Sequence, residues 1–472
     1  MGSPLLPKTR TVKARKKIDT LVPGEGERLN AREILELSRA LERTRKRMGK
    51  FYQGNQILGR KGAIGCVSLE ISQRCNLDCS LCYLSDRSNG VTDLPLREVF
   101  RRIDGIRENF GVGTNVQISG GDPTLRNRKE LVCIVRYTRK LGLLPALFTN
   151  GIRCSRDLLE ELAENGLSDV AFHVDLSQGR RGFPTETSLN ALREEYIDRA
   201  RGLPVMVVFN TTVHGANFHE IPALVRFFLS HADGVGFASF QLQAETGRGV
   251  LRRRPGRISL ASVRQKINEG AGAPLPWDAI RVGHPGCHSY VPVFAVKGRA
   301  FGILDDAGLY ADFLKEFSHV THDRREKPSR IAWRYVKAAS GKPLWILRGI
   351  KYFLPRLWSM RKEIVDARGR VHKISFFIQN FMDANRLDPD RIEACSFMVM
   401  TPQGPMSMCE HNAKREKYIL PSGEVPAEPG KVLHRSARSS GTGYGTQQKK
   451  VVLGADSGRI DKMDNHEESV WG

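Results

Sequence analysis

The sequence predicts an α/β fold: a six-stranded partial (β/α)6 TIM-like barrel with a C-terminal auxiliary extension. Two observations predict it. Between residues 63 and 242, β-rich runs alternate with amphipathic helical patterns, which implies right-handed βαβ crossovers and a parallel sheet with helices outside. That stretch of about 180 residues is too short for a complete eight-stranded barrel. A composition of 40% hydrophobic and 26% charged residues supplies a core and excludes collagen-like, coiled-coil and wholly disordered chains.

The strands are read in order as GCVSLEIS (65–72), NVQISG (115–120), LPALFTN (144–150), DVAFHVDLS (169–177), VMVVFNTTV (205–213) and GVGFASFQL (234–242). Helical patterns between them include 96–110, 156–166 and 220–231, each with apolar residues recurring at three- and four-residue steps. This core runs over 63–285. Residues 1–62 form a basic lead-in with one predicted helix over 31–50, and residues 286–420 form an irregularly patterned auxiliary region containing a basic insert (307–373). Residues 421–472, rich in Gly, Ser, Pro and Lys, bury too little apolar surface to offset ordering and are expected to be disordered.

Charge narrows the partners. The chain carries 74 Lys and Arg against 51 Asp and Glu, a net of +23. Residues 1–61 and 307–373 each hold 16 basic and 6 acidic side chains, so these two segments supply almost all of the excess. Such segments fit a polyanionic surface, either an anionic membrane or nucleic acid, or else simply solvated faces. No stretch reaches the ~18 apolar residues of a spanning helix, and the N-terminus lacks a secretory apolar region. The expectation is a cytoplasmic protein, peripheral at the inner face of the membrane if the basic segments bind lipid.

Nine cysteines in such a compartment are not expected as disulfides. Three of them, Cys75, Cys79 and Cys82, stand in RCNLDCSLCY directly after the first strand. Three thiolates on one short loop can hold three corners of a 4Fe–4S cluster and leave the fourth iron open. Structural zinc is the alternative, although it wants four ligands.

This CxxxCxxC loop, followed by a β/α series, resembles the radical S-adenosylmethionine (SAM) superfamily. ISGGDPTLR (118–126) is similar to that family's GGEP segment, with Asp122 in place of the glutamate. The resemblance implies a 4Fe–4S cluster on Cys75, Cys79 and Cys82, chelation of its open iron by SAM, and a 5′-deoxyadenosyl radical that activates a C–H bond. It implies a reductant such as flavodoxin or ferredoxin as partner. It also makes Gly120, Gly121, Asp122 and Pro123 cofactor-binding, the glycines because a missing Cβ permits close approach. The aromatic that often precedes the last cysteine is here Leu81, with Tyr83 following; Tyr83 is counted with the cofactor-binding residues. Asp175 and Asn210, at or near strand ends, are further candidates for cofactor binding, ahead of Thr149, Asn150, Ser177 and Thr212; each is equally readable as a turn or cap residue.

Cys66, Cys133 and Cys154 read as small buried hydrophobes. Cys287 in GHPGCHSY, with Cys395 and Cys409 in CSFMVMTPQGPMSMC, resembles the partial start of a SPASM or twitch extension. That implies a possible second 4Fe–4S cluster, completed by His284, His288 or His411 or left open; buried, unrelated cysteines are the alternative. The order HPGC, FFIQNFMDANRLDPDRIEAC, PQGPMSMCEHN, together with FQLQAETGRG (240–249), is similar to a subgroup containing tetraether lipid synthases and a pterin methyltransferase.

The substrate expectation comes from PLWILRGIKYFLPRLWSMRK (343–362), where Leu, Ile, Phe and Trp alternate with Arg and Lys. A basic amphipathic segment with tryptophans suits an interfacial helix on anionic lipid, kinked by Pro355, though a helix packed on the barrel reads the same. The leading expectation is therefore C–C bond formation or alkylation on a lipid-like substrate. Modification of a peptide, pterin or RNA is the enzymatic alternative, and an iron–sulfur electron carrier or basic binding protein the non-enzymatic one. Nucleic acid is the less favoured partner because no RNA-binding module is visible.

Overall fold

The structure is a computed structural model and describes residues 30–58, 63–249, 258–317, 320 and 328–419. The chain divides between Val425 and Pro426, and the described residues all belong to the first unit. The tail expected to be disordered (421–472) and most of the basic lead-in lie outside the described residues.

Helix α1 (Ala31–Met48) opens on an Asn30–Glu33 capping box, in which each side chain bonds the other's backbone N–H. Then come β1 (Cys66–Ser72), α2 (Leu96–Phe110), β2 (Asn115–Gly120), α3 (Arg128–Lys140), β3 (Leu144–Thr149) and α4 (Arg156–Glu164). They are followed by β4 (Asp169–His173), α5 (Asn190–Ala200), β5 (Met206–Val213), α6 (Ile221–Ser230) and β6 (Val235–Leu242). These six strands adjoin in chain order, and every pair is parallel. The period-two alternation sorts their side chains. Val67, Leu69, Ile71, Val116 and Ile118 enter the main hydrophobic core, where α2 adds Val99, Ile103, Ile106 and Phe110 from one stripe. Ser68, Glu70, Gln117 and Ser119, on the other face, line a cavity.

The sheet does not stop at six strands. The chain continues through α7 (Leu260–Ala271), β7 (His288–Val296), β8 (Arg299–Phe301), α8 (Ala307–Phe317), α9 (Pro328–Ala339), α10 (Pro343–Ser359) and α11 (Arg361–Asp366). It ends with β9 (His372–Asn380), α12 (Pro389–Glu393), β10 (Phe397–Thr401), β11 (Gly404–Ser407), α13 (Met408–Ala413) and α14 (Arg415–Ile419). The order is β11-β10-β1-β2-β3-β4-β5-β6-β9-β7-β8, with β10 parallel to β1 and β9 parallel to β6. Eight parallel strands thus stand side by side, flanked by antiparallel β11 on one edge and β7 and β8 on the other. This corrects the expectation of a six-stranded unit: residues beyond 286 lengthen the same sheet at both edges. The two halves of that addition meet through rings, with Phe397 of β10 at 4.5 Å from His288 of β7 and 5.7 Å from Phe377 of β9. Among the described residues no helix is long and apolar enough to cross a membrane.

Candidate active site

Strand β1 ends in a register shift between Glu70 and Ser72, which turns the chain out of the sheet and into the cysteine loop. That loop is pinned at several points. Ser80 N–H donates to the Ser177 carbonyl (2.9 Å) beyond β4, and Cys75 N–H donates to the Asn89 side chain (3.0 Å). Asn150, just after β3, donates to the Asn76 side chain (2.7 Å) and approaches Cys75 Sγ (3.8 Å). Cys75, Cys79 and Cys82 come together at the C-terminal strand ends and line one end of a cavity of about 1020 Å³.

Burial pushes all three thiols up, and for Cys79 the charges of Cys82, Asp175 and Cys75 add to it. The guanidinium of Arg248 opposes this at Cys75 and Cys82. Arg248 is held by its backbone N–H on the Cys82 carbonyl (2.9 Å) and by its side chain on Asp78 (2.6 Å). Gly247 makes this possible: it has φ +53°, and a Cβ there would overlap the Tyr83 carbonyl. Among the described residues no three His, Cys, Asp or Glu side chains form a site for a single metal ion. Three thiols on one loop, with the guanidinium groups of Arg248, Arg180 and Arg415 beside them, fit an anionic multi-iron cluster.

The GGDP segment is a brace for that loop. A Cβ on Gly120 (φ +119°) would overlap the Ser72 carbonyl, and one on Gly121 the Arg74 carbonyl. Gly121 N–H donates to the Ser72 carbonyl and Asp122 N–H to the Arg74 carbonyl, both at 2.8 Å. The glycines are therefore required by backbone packed against backbone, not only by a ligand's approach as the sequence suggests. The Asp122 carboxylate, 1% exposed, accepts from Thr124 N–H (3.0 Å), the hydroxyls of Thr124 and Thr149, and Asn150 N–H (2.8 Å). Pro123 is buried in the short 3₁₀ turn (Pro123–Leu125) that Asp122 caps.

Asp175 behaves alike. It is fully buried, and its oxygens accept from Ser177 N–H and Oγ, Thr212 N–H (2.8 Å) and His173 Nε2 (2.7 Å). Burial favours its neutral form, yet the His173 charge and these bonds hold it far below the carboxylate range. With their carboxylate oxygens so occupied, Asp122 and Asp175 position neighbouring elements. Burial pushes His173 down, but Asp175 outweighs it and raises its pKa, and its ring faces the cavity. Asn210, Thr149, Asn150, Ser177 and Thr212 also line the cavity.

Tyr83 donates its hydroxyl to the Gly120 carbonyl (2.7 Å), and its ring carries the guanidinium of Arg415 at 4.5 Å. Arg415 in turn forks onto Glu70 (2.6 and 2.9 Å) and reaches the Gln73 and Asn412 side chains (3.1 and 3.0 Å). Burial disfavours the Glu70 charge, but Arg415 overcomes it and holds the carboxyl at about 2. This buried pair behind the loop escaped sequence reasoning, because its partners lie 345 residues apart and neither belongs to a motif. Arg248 and His173 had a weak signal, as polar residues in an extended glycine motif and at a strand end.

Cys287, Cys395 and Cys409 also come together. Burial pushes Cys287 up, with Cys395 adding; Cys409, raised first by burial and then by Cys395 and Cys287, reaches about 12. Arg391 donates to Cys287 Sγ (3.2 Å), Met382 N–H to Cys409 Sγ (3.4 Å), and Cys395 Sγ lies 2.9 Å from the Phe397 carbonyl. His411 does not join them: it stacks on Tyr418 and sits by Glu70 and Arg415. His284 lies tilted against Phe51 while its Nδ1 accepts from Gly286 N–H, and His288 stacks on Phe377 with Phe397 tilted against it.

Residues 69–228 match the radical SAM superfamily model. A 7,8-dihydro-6-hydroxymethylpterin dimethyltransferase of Methanocaldococcus jannaschii is 22% identical over 413 residues, 78% of this chain and 80% of the relative. A PqqA peptide cyclase of Xanthomonas euvesicatoria is 32% identical over 172 residues, 34% of this chain but only 44% of the relative. A probable GTP 3′,8-cyclase of Pyrococcus abyssi is 31% identical over 164 residues, covering 34% of this chain and 52% of the relative. Among solved structures, SAM-bound SuiB of Streptococcus suis aligns with a TM-score of 0.34 at 19% identity, over 42% of this chain and 46% of that one.

Proposed function

We propose that this chain, a radical SAM superfamily enzyme, holds a 4Fe–4S cluster on Cys75, Cys79 and Cys82 and directs radical chemistry at a C–H bond in its central cavity. The observation carrying this reading is the convergence of three thiols on one end of a 1020 Å³ cavity bounded by parallel strands. When bound, cluster and SAM supply the electron and the sulfonium whose cleavage yields a 5′-deoxyadenosyl radical. The chain's own residues do the rest. Arg248 lowers the cost of thiolate charge, Tyr83 and Gly120 fix the loop, and Asn150, Asn210, His173 and Thr212 offer hydrogen bonds to what enters. Cys287, Cys395 and Cys409 would hold a second cluster, three of its irons on these thiols.

The cavity wall bears on the substrate. Near the thiols and midway it offers amides and hydroxyls, among them Gln117, Ser239, Gln241 and Gln379; at the opposite strand ends Leu203, Val205, Met206 and Val371 stand beside the polar Asn115, Asp169, Asp233, His372 and Lys373. A plain hydrocarbon would strand the amides without partners. The lipid-like expectation is thereby narrowed to a substrate with polar groups of its own. The relatives lend a hydrocarbon-only substrate no support. The pterin dimethyltransferase and the peptide and GTP cyclases favour a second reading, a polar heterocycle or peptide, which the amide-lined half equally accommodates.

The test is anaerobic reconstitution with iron and sulfide counts, followed by dithionite, SAM and quantitation of 5′-deoxyadenosine. About eight irons per chain with nucleoside support both sites; about four with nucleoside leave Cys287, Cys395 and Cys409 without a cluster. Loaded clusters without nucleoside would overturn the assignment of the SAM site. Deuterium appearing in 5′-deoxyadenosine from a labelled candidate identifies the substrate.

A further inference from the structure

The insert between β8 and β9 reverses the usual polarity of a surface helix. Helix α10 meets the protein through its polar and aromatic side: Trp345 sits edge-on to Phe317 of α8, Arg348 pairs with Asp312 (2.7 Å), and Tyr352 and Arg356 bond Asp305 (2.7 and 2.6 Å). Its apolar side points outward. Leu347, Ile350, Leu354, Leu357 and Trp358 recur at three- and four-residue steps, and all are exposed. Leu347 is 62% exposed and Trp358 65%, while Trp333 of neighbouring α9 is 68% exposed. Most of the large exposed hydrophobic side chains among the described residues fall in this one insert. A patch of this kind on a soluble surface marks an interaction site.

Charge says what the patch meets. The insert carries 16 basic against 6 acidic residues over 307–373. Exposed Lys351 and Lys362 border the apolar stripe, and Arg361 lies 4.5 Å from the Trp358 ring centre. Apolar residues flanked by cations, with a tryptophan at the border, match the layered chemistry of an anionic bilayer surface: hydrocarbon beneath, phosphate above. Position agrees. Helix α11 leads through a short turn to Val371, which packs on the β7–β8 edge and lines the end of the cavity away from the cysteines.

We propose that α9 and α10 form a docking surface for an anionic lipid bilayer. Trp345, grouped with the others on sequence grounds, is excluded from the surface because it is occupied by Phe317. The proposal goes beyond the radical reading and does not depend on it, because binding is measured without SAM cleavage.

Co-sedimentation of the full chain with phosphatidylcholine vesicles, with and without phosphatidylglycerol, tests it. Binding should require phosphatidylglycerol and weaken with salt. Leu347→Glu plus Leu354→Glu should weaken it by about tenfold or more, since the apolar burial forfeited exceeds what one factor of ten requires. Lys351→Glu plus Lys362→Glu should reduce the preference for phosphatidylglycerol. Both variants should keep the wild-type circular dichroism spectrum and urea midpoint, which shows that they fold. The proposal is overturned if wild-type chain ignores the anionic vesicles, if the leucine pair leaves binding unchanged, or if the chain instead retains an RNA oligomer or forms a dimer that the leucine pair dissolves while vesicles go unbound.

Discussion

Arg415→Met should destabilise the protein by about 3 kcal/mol at neutral pH and loosen the cysteine loop with it. The magnitude follows from Glu70. Its carboxyl, ordinarily titrating at 4.5, is held at about 2 although burial pushes it upward. That difference corresponds to about 3 kcal/mol in favour of the charged folded form. Removing one partner of a buried pair costs about the same, 3–5 kcal/mol. The sign on pH is fixed by the depressed value. The contribution is complete above 4.5, where the unfolded chain is also ionised, and is lost as pH falls from 4.5 toward 2. Wild type should therefore lose stability over that window, and Arg415→Met should lose less, having already forfeited the term. Glu70→Gln combined with Arg415→Met should recover most of the loss, because no buried charge is left alone. Urea unfolding followed by tryptophan fluorescence, single and double variants side by side, reads all three. A loss below about 1 kcal/mol for Arg415→Met, or a double variant as unstable as the sum of the singles, would refute the claim that this pair is a coupled buried unit.

Four further outcomes are expected. Cys75→Ala, Cys79→Ala or Cys82→Ala should each abolish 5′-deoxyadenosine formation and remove about four irons per chain, measured after anaerobic reconstitution. Cys287→Ala, Cys395→Ala or Cys409→Ala should lower the iron count by a similar amount while nucleoside formation persists; an unchanged count would mean that these thiols hold no cluster. Gly121→Ala should impair cluster loading, because its Cβ collides with the Arg74 carbonyl, and wild-type iron content would show that the brace yields. Asp122→Ala should lower stability by about 1–3 kcal/mol through donors left unpaired in the interior, seen in the same urea titration and independent of SAM.

The first half of the fold was legible because its signals are local. The strands read at 115–120 and 234–242 differ from β2 and β6 by at most one residue, and 96–110 coincides with α2. Beyond residue 286 the periodicities mislead. Strand β9 pairs antiparallel with β7 across an insert of some seventy residues, and β10 pairs with β1 from the far end of the chain. Register of that range comes from which edges are free, not from neighbouring residues. The site divides the same way. The cysteine spacing announced itself, but the GGDP segment serves the backbone behind the loop as much as anything in front of it. Asp122 and Asp175 looked like ligand groups because a carboxylate at a strand end reads the same whether its partners are protein or cofactor.

The place of β10 has a consequence for biosynthesis. Until it emerges, β1 offers an unpaired edge and a cysteine loop lacking Arg415, so more than three hundred residues must be made after β1 before that side of the sheet is covered. A nascent chain in that state has a strand open to pairing with other chains, the condition in which large parallel sheets aggregate. Iron delivered during translation would meet thiols whose backing is absent. Topology thereby orders maturation: β10 and Arg415 come into place behind the thiols before the loop has its full support.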